Sequence, residues 1–254
     1  MLRSLKDLEG YTASATDGDI GRVVNFLLDD ARWTIRYLIV EPGSFLDGAQ
    51  VLVSPISFRE VEWATHRFHL ALTKEKVLGS PSVDLHKPVS RQHEEAFSRY
   101  YGFPWYWRSS GLWGTASFPS GLAEDADAEA SATPPAKPGD VHLRSSRDVR
   151  GYRIQGSDGP IGHVEDFIVD DGTWQVRYLV VDTSDWWFGR RVLVAPDWAT
   201  RISWAGGTVT LDLSREEIRT SPEWDPAAPP HSEYESRLRH HYGRTASGRA
   251  SRLL

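Results

Sequence analysis

The chain has 254 residues, of which 40% are apolar and 25% charged, with a formal net charge of -6 and no cysteine. This is the composition of a soluble globular protein, and the lack of cysteine excludes disulfide staples, thiolate metal sites and thiol nucleophiles while suiting a reducing cytoplasm. No apolar run approaches the roughly 20 residues a spanning helix needs, and the leading MLRSLKDLEG has no apolar stretch of signal-peptide length; the expectation is a cytoplasmic protein without a membrane span.

The sequence repeats itself. Residues Gly10 to Pro81 align without a gap on Gly151 to Pro222, and the match resumes at Tyr101-Gly102 over Tyr242-Gly243. Asp17-Gly18, Ile20-Gly21, Phe26, Asp29-Asp30, Trp33, Arg36-Tyr37-Leu38 and Val40 all recur. A repeat of about a hundred residues is domain-sized and longer than a solenoid unit.

Taken in chain order, residues 1–108 read as a first β-rich domain ending in short helices. Asp17-Gly18 is a turn between a short strand and a longer one, and Asp29-Asp30 precedes the Trp33 strand as a second hairpin turn. Val51-Leu52-Val53 is a further strand that Pro55 must end. From Arg67 to Leu72 apolar and polar residues alternate, which predicts a strand with Phe68, Leu70 and Leu72 facing inward. Thr73 opens a short helix that Pro81 stops; a second helix begins at Ser90, carries His93, Phe97, Tyr100 and Tyr101 on one face, and stops at Gly102. The aromatic run Phe103-Pro104-Trp105-Tyr106-Trp107 follows, with Trp113 nearby.

Lys and Arg against Asp and Glu number 13 and 14 in residues 1–108, 1 and 5 in 109–140, and 15 and 16 in 141–254. The excess acid therefore sits in 109–140, a segment rich in Ala, Ser, Pro and Gly that reads as a flexible linker. Residues 141–243 repeat the first domain: turns at Asp158-Gly159 and Asp170-Asp171-Gly172, a strand at Val192-Leu193-Val194 before Pro196, and alternation with Val209, Leu211 and Leu213 inward. Ser214-Arg215-Glu216-Glu217 is a capping box, Pro222 ends that helix, and a last helix from Ser232 carries Tyr234, Leu238, His241 and Tyr242. Residues 244–254 form a basic tail that reads as solvated rather than as a phosphate grip.

The two stretches GYTASATDGDIGRVVNFLLDD…RYLIVE…VLVSP and GYRIQGSDGPIGHVEDFIVDD…RYLVVD…RRVLVAP resemble the PRC-barrel domain. That family is named for the cytoplasmic domain of the photosynthetic reaction-centre H subunit and shared with the C-terminal domain of a ribosome maturation factor. The resemblance covers residues 5 to about 80 and 146 to about 221. It implies a small six-stranded β-barrel in each copy and a role in protein assembly, and it carries over no catalytic residue. The membrane helix of the one relative and the different N-terminal domain of the other have no counterpart here, so neither specialised function is inherited.

Chemistry is sparse in the pattern. Asp29-Asp30 and Asp170-Asp171 read as turn formers, while His66 and His69 would point to opposite faces of a strand and are replaced by Gly207 and Thr210 in the second copy. Arg36 and Arg177 read as partners of an ion pair or a loop carbonyl. No catalytic residue, cofactor site or metal site is assigned. The candidate interface residues are Trp186, Trp187 and Phe188, in a loop before the Val192 strand, and Trp105, Tyr106 and Trp107. The expected protein is a mainly β chain of two PRC-type barrels, each followed by short helices, acting as a non-enzymatic cytoplasmic scaffold or adaptor for a protein partner, with possible self-association. The alternatives are a small-ligand-binding or enzyme-accessory protein using a groove between the barrels and, last on charge, an RNA- or ribosome-associated protein.

Overall fold

The computed structural model describes residues 1–43, 50–81, 89–124, 142–184, 189–228 and 230–243. The elements run β1 (Leu2–Ser4), β2 (Thr12–Ala15), β3 (Gly18–Asp29), β4 (Thr34–Pro42), β5 (Val51–Val53), β6 (Phe58–Glu62), β7 (Arg67–Leu70), α1 (Lys74–Leu78), α2 (Arg91–Tyr101) and α3 (Pro119–Glu124). They continue as β8 (Leu143–Ser145), α4 (Ser146–Val149), β9 (Arg153–Gly156), β10 (Gly159–Asp170), β11 (Val176–Asp182), β12 (Arg191–Val194), β13 (Ala199–Ser203), β14 (Thr208–Leu211), α5 (Arg215–Arg219) and α6 (Ser232–Tyr242). The protein is mainly β with short helices, as the alternation and capping signals predict. Leu72 and Leu213 both fall beyond their strands; Leu72 is half-buried, while Phe68, Leu70, Val209, Leu211 and Leu213 are buried.

The chain divides into two units that do not coincide with the two sequence copies. The first comprises residues 8–146 with 172–174, and the second residues 1–7, 147–171 and 175–254. Each holds a seven-stranded sheet.

In the first unit the strands lie in the order β5-β4-β3-β2-β7-β6, all antiparallel except the parallel pair β2·β7. The long strand β3 divides one of its edges. Gly18 to Arg22 pair with β2, while Leu27 to Asp29 pair with β8, the leading strand of the second sequence copy. Without β8 those last residues would present unpaired backbone groups. Leu143 of β8 is buried with Leu27, Tyr37, Ile39 and Leu52 beneath Val89 and Phe97, so both faces of β3 and β4 are covered and their sequences read as nearly continuous apolar runs.

The second unit repeats these registers in the order β12-β11-β10-β9-β14-β13. Val23 opposite Val40 and Leu38 opposite Val53 correspond to Val164 opposite Val181 and Leu179 opposite Val194. Here β10 pairs with β9 through Gly159 to His163 and with β1, from the start of the chain, through Ile168 to Asp170. Leu5 is fully buried and donates its N–H to the Phe167 carbonyl at 2.8 Å. Asp166 accepts the Ser4 hydroxyl at 2.6 Å and the Lys6 N–H at 3.1 Å.

The recurrent Ile-Gly of both copies has a steric cause. A Cβ at Gly21 would lie 1.9 Å from the Glu41 carbonyl oxygen, and one at Gly162 1.9 Å from that of Asp182. Only glycine lets the long strand approach its neighbour there, beside a bulge. The expected barrels are not closed: among the described residues no ladder joins β5 to β6 or β12 to β13. The 3-10 turns Pro55–Ser57 and Pro196–Trp198 carry the chain across those gaps, and proline removes a ladder donor at each.

The linker expected at 109–140 begins later than composition suggests. Residues up to 124 belong to the first unit: Trp113 and Leu122 are buried, and α3 packs on the Pro55–Ser57 turn. Residues 125–141 lie outside the described residues.

The tip Gly172–Trp174 also belongs to the first unit. Trp174, 2% exposed, meets Phe58 edge-on at 5.3 Å and Phe68 at 5.9 Å, and its carbonyl accepts the Ile35 N–H at 2.8 Å. It holds a left-handed φ of 60°, as Trp33 does at 51°, a conformation that bulky residues adopt only when packing fixes them. Trp174→Ala is therefore expected to lower stability by about 3–5 kcal/mol in urea unfolding and to speed hydrogen exchange at the Phe68 and Leu70 amides. Unaltered exchange at those two amides would contradict the packing described.

Candidate interaction surface

The described part of the aromatic segment is built on a buried ionic cluster in the first unit. Its foundation is the β3–β4 turn, where one Asp29 oxygen accepts the N–H groups of Ala31 and Arg32 at 2.9 and 3.2 Å. The other accepts Arg36 Nη2 at 2.9 Å and Nε at 3.3 Å. Asp29 is thus a turn former, as the sequence suggests, and an ion-pair partner as well. Burial works against its charge, but the Arg36 guanidinium and these hydrogen bonds hold its carboxyl below the usual range.

Arg36 is fully buried, and its environment explains why arginine stands there. Nη1 donates to the Leu112 carbonyl at 2.8 Å, and the guanidinium lies 3.8 Å from the Tyr106 ring centroid and 4.6 Å from that of Trp113. A planar, weakly hydrated cation can stack on rings and pair with a carboxylate at once; lysine cannot do both. Trp113 donates Nε1–H to the Thr173 carbonyl at 2.7 Å, and Arg32 donates to the carbonyls of Tyr106 and Ser109 at 3.2 and 2.6 Å.

The second carboxylate comes from α2. Glu94 is 1% exposed and accepts the Tyr106 hydroxyl. Arg91 Nη1 lies 2.8 Å from Glu94 Oε2, yet it directs its N–H to the Tyr106 oxygen at 3.1 Å and leaves Oε2 without a hydrogen bond. Burial outweighs the Arg91 attraction and raises the Glu94 carboxyl to about 7.

Tyr106 is therefore a buried strut, and its neighbours form the outward side. Trp105 and Trp107 are half-buried and stacked, with centroids 5.5 Å apart and planes 16° apart. The Arg91 guanidinium sits 4.4 Å from the Trp107 centroid, and Phe103 stacks on Tyr101 at 5.2 Å. Of the six residues singled out from sequence, Trp105, Tyr106 and Trp107 are thus gathered in one place. Trp186, Trp187 and Phe188 lie outside the described residues.

Sequence reasoning missed Arg91 and Glu94. The sequence held a signal for Glu94 alone, which recurs as Glu235 where Arg91 gives way to Ser232; in the structure Tyr178, the counterpart of Tyr37, donates to Glu235 at 2.9 Å. The remaining polar candidates have local roles. His66 occupies a left-handed turn where the second copy uses Gly207, and it stacks on Tyr11 at 4.7 Å. His69 pairs with Glu62 at 3.1 Å, Asp30 with Arg144 at 2.9 Å and Asp171 with Arg3 at 2.8 Å. Among the described residues no group of three or more His, Asp or Glu side chains could hold a metal.

Both units are thus open, bulged, mainly β sheets with short trailing helices. The model of the PRC-barrel domain family matches residues 142–218, from β8 into α5. A comparison with curated proteins found no match.

The Glu94 site makes stability depend on pH with a definite sign. A carboxyl that titrates near 4.3 in the unfolded chain and at about 7 in the fold adds stability that is complete below the lower value. That stability is lost as pH rises through 7. The expected loss is about 4 kcal/mol between these limits, read as a falling denaturation midpoint; Glu94→Gln should abolish that slope. A Glu94→Gln profile parallel to that of the unsubstituted protein would contradict a neutral buried Glu94.

Proposed function

We propose that this chain is a non-enzymatic scaffold or adaptor that binds a protein partner in the cytoplasm through two PRC-type domains, residues 1–108 and 141–243 with their exchanged leading strands. The PRC-type reading of the first copy is supported by its strand order and registers, which repeat those of the segment that the family model matches. The cysteine-free composition suits a reducing compartment, and no helix among the described residues is long and apolar enough to cross a membrane.

The observation that carries the interaction reading is the stacked Trp105–Trp107 pair. Large aromatics anchor interfaces when their neighbours hold them in place before binding, because little side-chain entropy is then lost on association. Here Tyr106, between them in sequence, is fixed by Glu94 and Arg91 below, while both indoles keep part of their surface in water.

Replacing both residues, Trp105→Ser with Trp107→Ser, should leave the unfolding midpoint within a few degrees and reduce recovery of whatever protein co-purifies with the unsubstituted chain, with and without nuclease. A loss of several kcal/mol, the scale of a buried aromatic, would assign them to the core and defeat the proposal. Recovery that vanishes on nuclease treatment would point instead to RNA.

A further inference from the structure

A second polar feature lies in the first unit, away from the aromatic strut. Where β2, β3, β6 and β7 come together, a pocket of about 290 Å³ is lined by Ser14, Asp19, Arg59, Arg67 and His69, with Leu70 and smaller residues beside them. Arg67 Nη1 donates to Asp19 at 2.7 Å and to the Ser14 hydroxyl at 3.0 Å, and the Ser14 hydroxyl donates to the same Asp19 oxygen at 2.8 Å. These bonds use one nitrogen of the guanidinium and one oxygen of the carboxylate. Arg59 makes no hydrogen bond or ion pair among the described residues. Lys74 adds a further cation at the rim: a Cβ on Gly18, which lines the pocket, would lie 2.8 Å from its Nζ.

The fold does not need these charges. At the corresponding positions of the second copy stand Pro160 for Asp19, Thr200 for Arg59, Thr208 for Arg67 and Thr210 for His69, and β9, β13 and β14 pair there in matching registers. Arg59 is exposed and holds no partner among the described residues, and Arg67 keeps unused N–H groups beside it, so both retain donors for a ligand. Two guanidinium groups lining one recess match the oxygens of a carboxylate or phosphate.

We propose that this pocket binds the oxyanion group of a small molecule, with Arg59 and Arg67 as its donors and Asp19 as a built-in competitor for Arg67. The Asp19 carboxylate stays ionised at neutral pH because the Arg67 and Ser14 hydrogen bonds hold its pKa below the usual value. A bound anion must share Arg67 with it. The site is independent of the Trp105–Trp107 surface and does not rest on the scaffold reading.

The test is an amide chemical-shift titration of the full chain with inorganic phosphate and, separately, with succinate, with ionic strength held constant by chloride. Saturable shifts at Ser14, Gly18 and His69 with either anion are expected, and the anion that saturates at lower concentration identifies the preferred group. Arg59→Gln, which removes no bond within the fold, should weaken binding about tenfold. Asp19→Asn should tighten it several-fold, and Trp105→Ser with Trp107→Ser should leave it unchanged. The proposal is overturned if neither anion gives saturable shifts or if Arg59→Gln binds as the unsubstituted chain does. Weaker binding by Asp19→Asn would also overturn it, since that would mean that Asp19 holds a cationic group of the ligand.

Discussion

The long strand of each sequence copy has more edge than its own hairpin can cover, and the rest of the architecture follows from that mismatch. Residues Gly18 to Asp29 and Gly159 to Asp170 each span twelve positions, whereas the strands before them span four. Exposed strand edges are sites of non-specific pairing. The remaining edge of β3 is taken by β8 and that of β10 by β1, so each sheet is completed by the leading strand of the other sequence copy. The chain consequently passes between units at 7/8, 146/147, 171/172 and 174/175, and neither half of the sequence corresponds to a complete sheet.

The two acceptor edges are chemically distinct even though their backbones match. In one, buried Asp166 receives the Ser4 hydroxyl and the Lys6 N–H while Leu5 fills apolar space. In the other, Asn25 donates to the Ser145 hydroxyl at 2.9 Å and accepts that of the buried Ser146 at 2.8 Å. Leucine facing one site and serine the other favours the observed pairing over its converse, because the converse would leave a hole in one core and crowd a polar contact in the other.

Much of this fold was legible because its signals are local. Turn dipeptides, alternation around Phe68 and Val209, the Ser214 capping box and the glycine stops at Gly102 and Gly243 each depend on a few neighbouring residues. The structure uses them as expected, including left-handed φ values of 74° and 59° at the two glycines. What could not be read was long-range. Nothing in the short Leu-Arg-Ser of β1 or β8 announces which edge it will join, and closure of the barrel depends on where strand ends meet in space. Composition also misjudged residues 109–124, where one buried tryptophan, Trp113, stacking on Arg36, outweighs a run of small and polar neighbours. Of the candidate surface, the aromatic residues were visible from the sequence alone; the Glu94–Tyr106 contact beneath them joins positions twelve residues apart and was not.

The family match begins at residue 142 and so includes β8, whereas the compact unit that contains the rest of that match, apart from residues 172–174, begins in this part of the chain at residue 147. A gene fragment cut at the family boundary would therefore encode a donor strand without its acceptor and an acceptor edge without its donor. The polypeptide would carry, at opposite ends of one deficiency, the means of repairing it: β8 could turn back onto β10 of its own chain or reach that of a neighbour. Domain limits drawn from sequence similarity and those drawn from packing describe different objects here, one a unit of inheritance and the other a unit of cohesion.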